Sequence, residues 1–149
     1  MWFLFPHRWM YWSDWGRVAK IEKASMDGKG RRVLHSTSLV WPNGIALDYE
    51  LQILYWADAN LDKVESSNVD GSNRRIITVR GIFHPFSLTV FGDTLFLTDW
   101  ILDQVLSVRL APTGGSRANT TMALTSTLRH EPMGIQVITP ERQPAGTIA

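Results

Sequence analysis

The 149 residues are 44% hydrophobic and 19% charged, with a formal net charge of +1 and no cysteine. That balance fits one domain with a sizeable core; it excludes a disordered chain, a disulfide framework, a thiolate nucleophile and a cysteine-held zinc site. The basic residues stand in scattered pairs such as Arg31-Arg32 and Arg74-Arg75, which argues against nucleic acid or an acidic membrane surface as partner.

In chain order, the apolar run 1–5 reads as a strand. It is shorter than the roughly 7 to 15 apolar residues of a signal-peptide core, and no run reaches the ~20 residues of a membrane span. Tyr11-Trp12-Ser13-Asp14 follows, then an Asp27-Gly28 turn. The next stretch resolves into four short strands: 44–48, 53–58, 63–69 and 74–79, with a hairpin turn at Asp70-Gly71. Beyond it lie Phe96-Leu97-Thr98-Asp99, a run at 102–110 that imitates helical spacing, an outer strand at 122–126 and a last apolar run at 133–139.

These elements repeat. Tyr11-Trp12-Ser13-Asp14 returns as Tyr55-Trp56-Ala57-Asp58 and, weakened, as Phe96-Leu97-Thr98-Asp99, at steps of 44 and 41 residues. Pro42, Pro85 and Pro132 step by 43 and 47, and Asp27-Gly28 reaches Asp70-Gly71 in 43. Four strands in a period slightly above forty describe the blades of a β-propeller, so the fold class is all-β. A blade must bury both faces against its neighbours, and a Trp or Tyr buries about 150 to 250 Å². Tyr11, Trp12, Tyr55, Trp56 and Phe96 are therefore expected as packing between blades. Asp14, Asp58 and Asp99 are expected at strand ends, accepting backbone N–H groups. Leu97, where a Trp is typical, should leave the third motif with less packing.

The motifs Tyr11-Trp12-Ser13-Asp14-Trp15-Gly16, Lys20 to Ala24, Met26-Asp27-Gly28, Trp41-Pro42-Asn43-Gly44 and His84-Pro85-Phe86-Ser87-Leu88 resemble the class B (YWTD) repeats of the low-density-lipoprotein receptor family over residues 9 to 144. Glu131 to Val137, followed by Glu141-Arg142-Gln143-Pro144, is similar to the stretch that closes such a propeller, particularly in the Wnt co-receptor branch. The resemblance implies the C-terminal half of a six-bladed, extracellular, non-enzymatic propeller without cofactor or metal, in fragment form. Its blades would be about 1–36, 43–79 and 86–126, with a last inner strand at 133–139 and a tail at 145–149. The absent strands would leave two open edges and one blade face uncovered. The parent protein would be a cell-surface receptor with this segment on its extracellular face. Two departures stand at the ends: Phe5-Pro6 replaces the usual Asp-Pro, and no EGF-like cysteine follows Pro144.

Residues flanking the heading prolines should share one rim of the propeller: Trp41 and Asn43, His84 and Phe86, Glu131 and Met133. Rim loops on rigid blades are where such folds bind partners, and Trp and Phe supply hot-spot area. The resemblance implies protein ligands, secreted factors or their Asn-containing loops, with Trp41, Asn43 and His84 matching positions that hold an Asn-x-Ile peptide. Pro-Asn-Gly equally fits a tight turn that needs positive φ. The lipoprotein-receptor pattern of acid-dependent release matches at Trp15, Trp41 and His84 but has Asp62 where a fourth position is His. Pro-Asn-Gly before an inner strand also resembles calcium-dependent lactonases, yet Phe86 and Met133 bring no oxygen ligands and Gly-x-Ser-x-Gly is absent. Asn119-Thr120-Thr121 is a glycosylation sequon.

Overall fold

The computed structural model describes residues 9–77, 79–110, 120–125 and 131–138. Within them the chain forms three antiparallel sheets and no helix. The first sheet holds β1 (Trp9–Asp14), β2 (Lys20–Ser25) and β3 (Arg32–His35) in that order. The second holds β4 (Pro42–Asp48), β5 (Ile53–Asp58), β6 (Lys63–Asn68) and β7 (Arg75–Ile77), and the third β8 (Pro85–Phe91), β9 (Thr94–Asp99), β10 (Gln104–Arg109) and β11 (Thr120–Ala123). Each sheet is a meander, the order that short connections and period-two patterning dictate for successive strands. The run with helical spacing at 102–110 is strand β10, and β11 begins two residues before the expected start of the outer strand at 122. The inner strand expected at 1–5 and the tail at 145–149 lie outside the described residues.

The turn chemistry explains the repeat. Gly28 and Gly71 both sit at positive φ, 80° and 93°, where a side chain would be strained. Each turn closes the same way: Gly28 N–H donates to Ser25 O at 2.8 Å and Gly71 N–H to Asn68 O at 2.9 Å. Asp27 and Asp70 accept from the backbone N–H two residues on, at Lys29 (3.1 Å) and Ser72 (2.9 Å).

Successive sheets pack face to face through alternating residues. Leu54 and Trp56 of β5 meet Ile21 of the first sheet, while Tyr55 and Ala57 of the same strand meet Leu88, Val90, Leu95 and Leu97 of the third. One strand thus serves two junctions, because its odd and even positions face opposite neighbours. Full burial of such side chains contributes about 1.5 to 3 kcal/mol each. Leu97, expected to bring less packing than a Trp, is fully buried in the core shared with the second sheet. Its register partner Leu106 is apolar too, whereas Trp56 faces Glu65 in the equivalent pair.

Two further expectations change. Pro-Asn-Gly is not a positive-φ turn: Pro42, Asn43 and Gly44 begin β4, with a bulge in its pairing to β5. Gly44 is required by proximity, since a Cβ there would lie 2.9 Å from Leu88 N and Ser87 Cα and 3.0 Å from Phe86 O, all backbone of the neighbouring inner strand. Residues 131–138 form no strand, although an inner strand is expected at 133–139. The segment still lies along the inner strands: Ile135 and Gln136 share a cavity of about 250 Å³ with Ile45, Leu47, Leu88 and Val90. An inner strand needs the second strand of its own blade to form a ladder, and no described strand takes that place beside 131–138.

Candidate functional rim

Register fixes which side chains share an edge. Pro42 pairs with Asp58 and Pro85 with Asp99, so the entrances of β4 and β8 stand beside the exits of β5 and β9. The two aspartates, both fully buried, clamp that edge. Asp58 accepts from Val40 N–H (2.8 Å) and Trp41 N–H (3.1 Å) ahead of β4, and from Asn60 and Leu61 N–H (both 3.2 Å) after β5. Asp99 does the same for Phe83 (2.8 Å), His84 (3.2 Å) and Leu102 (3.0 Å). Backbone bonds complete each clamp, from Ala59 N–H to Trp41 O at 2.9 Å and from Trp100 N–H to His84 O at 3.1 Å. Asp14, the first motif's aspartate, is exposed.

On these clamps stands a continuous row of rings. Trp41 meets His84 edge to face, with centroids 6.0 Å apart. His84 stacks on Trp100 at 5.8 Å, and Trp100 stacks on Phe86 at 4.8 Å with planes 5° apart. The rings thus span the junction between the second and third sheets. Trp41 remains 39% exposed and Phe83, beside His84, 54% exposed, so the row borders an apolar rim open to solvent. Asn43 is half-buried, and its amide has no hydrogen-bond partner among the described residues. The Trp100 indole N–H is buried and likewise lacks an acceptor among them.

Of the residues expected on the rim, Trp41, His84 and Phe86 are joined in this row. Asn43 lies in β4 next to Trp41, and Met133 is 56% exposed, its carbonyl 3.5 Å from Thr98 Oγ1. Trp15 follows Asp14 at the same end of its sheet but makes no ring contact with the row. Asp62 lies in the turn after β5 at φ 48°. Sequence reasoning missed Trp100, although it follows Asp99 as Trp15 follows Asp14. Asn119 lies outside the described residues.

Away from the rim, Glu65 is the centre of a polar knot. It accepts from Trp56 Nε1 (3.1 Å), from Arg74 through Nε (3.0 Å) and Nη2 (2.7 Å), and pairs with Lys63 Nζ at 3.0 Å. Burial alone would raise its pKa, but the Arg74 and Lys63 hydrogen bonds carry it below the usual carboxylate range. The first sheet repeats the knot in part with Lys20, Glu22 and Arg31: Arg31 donates to Glu22 at 3.0 and 2.8 Å and lies 5.3 Å over the Trp12 ring, while no indole bond to Glu22 is formed. No group of three or more His, Asp or Glu is placed to hold a metal ion among the described residues.

Sheets of this size, stacked face to face and joined in sequence, are blades of a β-propeller. A model of the family described as low-density lipoprotein receptor repeat class B matches residues 8–49 and 52–91, and the chain belongs to that family. It is 43% identical over 96 residues to the vitellogenin receptor Yl of Drosophila melanogaster, which covers 64% of this chain and 5% of that protein. It is 42% identical over 90 residues to the low-density lipoprotein receptor-related protein 5-like protein of Homo sapiens, covering 60% and 36%. Among solved structures, a chain of the nidogen/laminin complex superposes with a TM-score of 0.64 at 36% identity, over 68% of this chain and 39% of that one. A luciferin-regenerating enzyme shares the fold at 15% identity, with a TM-score of 0.59 over 78% and 39%. The chain therefore spans a small part of these relatives, and it is a class B repeat module of the kind found in low-density-lipoprotein-receptor-related proteins.

Proposed function

We propose that this module binds protein ligands through the Trp41–His84–Trp100–Phe86 rim, on the extracellular side of a receptor of the Wnt co-receptor type, and performs no chemistry of its own. The row of rings carries the reading: four aromatic side chains clamped by buried aspartates offer rigid apolar area at little entropic cost. Asn43 adds a half-buried amide without a hydrogen-bond partner among the described residues, suited to a ligand amide or carbonyl. The remaining blades of the parent propeller would complete the rim, with Trp15 and Met133 toward its margins. That relatives are named as receptors, and that a related propeller is part of a nidogen/laminin complex, supports a protein partner.

The test is calorimetric titration of the chain with a peptide carrying Asn-x-Ile. Binding is expected, with Trp100→Ala and His84→Ala each weakening it by roughly thirtyfold, the weight of a hot spot of about 2 kcal/mol. Trp15→Ala is expected to change little. Affinity that is absent in the unaltered chain, or unmoved by both rim substitutions, would overturn the reading.

A further inference from the structure

We propose that the junction between the first and second sheets is an acid-labile latch, closed by the stack of His35 on Trp56. His35 ends β3 only 8% exposed, its ring 4.9 Å from the fully buried Trp56 ring and inclined by 30°. Its Nε2 lies 3.0 Å from Ser67 Oγ of β6. The Ser67 hydroxyl also lies 3.0 Å from Asn68 O, which can take its hydrogen while Ser67 accepts from an Nε2–H of the ring. The imidazolium carries a hydrogen on both nitrogens, and Nδ1 has no hydrogen-bonded acceptor among the described residues.

The charged surroundings offer the imidazolium no free partner. From β6 come Glu65 and Lys63, and from the approach to β7 comes Arg74. Glu65 is already shared by Arg74, Lys63 and the Trp56 N–H. Arg74 also lies 5.4 Å over the Trp56 ring, so a second cation on that ring would be added beside an existing one. β5 brings Asp58, whose carboxylate is taken by backbone N–H groups at the rim. β2 places Ile21 opposite His35 in register, and Lys23, further along that face, is bound to Val69 O at 2.9 Å. The connection 36–41 contains no charged residue. Burial first, then Arg74, hold the histidine below its ordinary range, with Glu65 opposing. A base depressed in the folded state stabilises fully above its unfolded pKa, and that stability is lost as pH falls below it. Acidification should therefore weaken the contact of the first sheet with Trp56 while the junction of the second and third sheets stays closed.

Hydrogen exchange of the full chain at pH 7.4 and 5.5, corrected for intrinsic exchange, tests this in the segments 33–35 and 64–67. Protection there is expected to fall several-fold at pH 5.5, bounded near tenfold for one group with an unfolded pKa of about 6.5. His35→Phe keeps the ring stack and should abolish the fall, whereas His84→Ala should leave it intact. An equal fall in His35→Phe, or none in the unaltered chain, overturns the latch. Should His35→Phe not fold, the NMR titration of His35 in the unaltered chain decides: a midpoint below 6.5 upholds the proposal and one at or above it overturns it.

Discussion

The second and third sheets solve one packing problem in opposite ways. In the second, Trp56 stands opposite Glu65, and the pair is bound into a knot with Arg74 and Lys63. In the third, the same register holds Leu97 opposite Leu106, with Gln104 where Lys63 stands. The carboxylate disappears together with the indole it serves. This teaches that the repeating unit is the cross-strand pair and not the single tryptophan. A buried Glu is sustained only by its donors, and a buried leucine pair needs none.

Removing one member of the knot should have the largest effect. Glu65→Leu strips the acceptor from a buried indole N–H and leaves Arg74 and Lys63 without their carboxylate. A loss of about 3 to 5 kcal/mol is expected in denaturant unfolding. Glu65→Leu combined with Trp56→Leu, which imitates the third sheet, should cost less than the sum of the two single changes by about 1 kcal/mol or more. Strict additivity would break the comparison.

Gly44 sharpens it next. The equivalent position after Pro85 is Ser87, so serine is native to one repeat and should be ruinous in the other. Gly44→Ser would drive Cβ into the backbone of β8, at a cost of about 2 to 3 kcal/mol, whereas Ser87→Gly should cost under ~1. The aspartates follow. Asp99→Asn weakens three backbone acceptances at the rim and is expected to cost about 1 to 2 kcal/mol, against less than ~0.5 for the exposed Asp14→Asn. Urea midpoints of the four variants read both contrasts.

Much of this was legible in the sequence because it is written locally. The Asp-Gly turns, the strand alternation and the forty-residue step each depend on neighbours within a few positions, and the blades followed from them. The errors fell where a residue answers to a distant one. Gly44 looked like a turn glycine because its reason, the β8 backbone, lies more than forty residues away. The apolar partner that suits Leu97 sits on the facing strand at Leu106, out of reach of a local pattern. Trp100 was overlooked because a ring row spans two sheets, and only register brings Trp41, His84 and Trp100 to one edge. The stretch at 133–139 had the apolar pattern of a strand, but a ladder needs a partner that pattern cannot supply.

The smallest predicted effect compares the two knots themselves. Glu22 and Glu65 are each held by one arginine and one lysine, but Glu65 also accepts the Trp56 N–H, and the Arg31 side chain is 59% exposed against 20% for Arg74. Hydrogen bonding from Arg31, reinforced by Lys20, lowers Glu22 from 4.5 to about 2. A carboxylate depressed in the folded state gives stability that is complete above its unfolded pKa and is lost as pH falls toward the folded one. The unfolding midpoint should therefore decline as pH drops from about 4.5 toward 2, and Glu22→Gln should flatten that decline. Other carboxylates titrate in the same window, so the readout is the difference between the two pH curves. At neutral pH, Glu22→Gln should cost less than Glu65→Gln, because solvent can take up Arg31 but reaches much less of Arg74, and Glu22 holds no indole N–H. Equal costs would mean that neither the exposure of the arginine nor the indole hydrogen bond decides the strength of the knot.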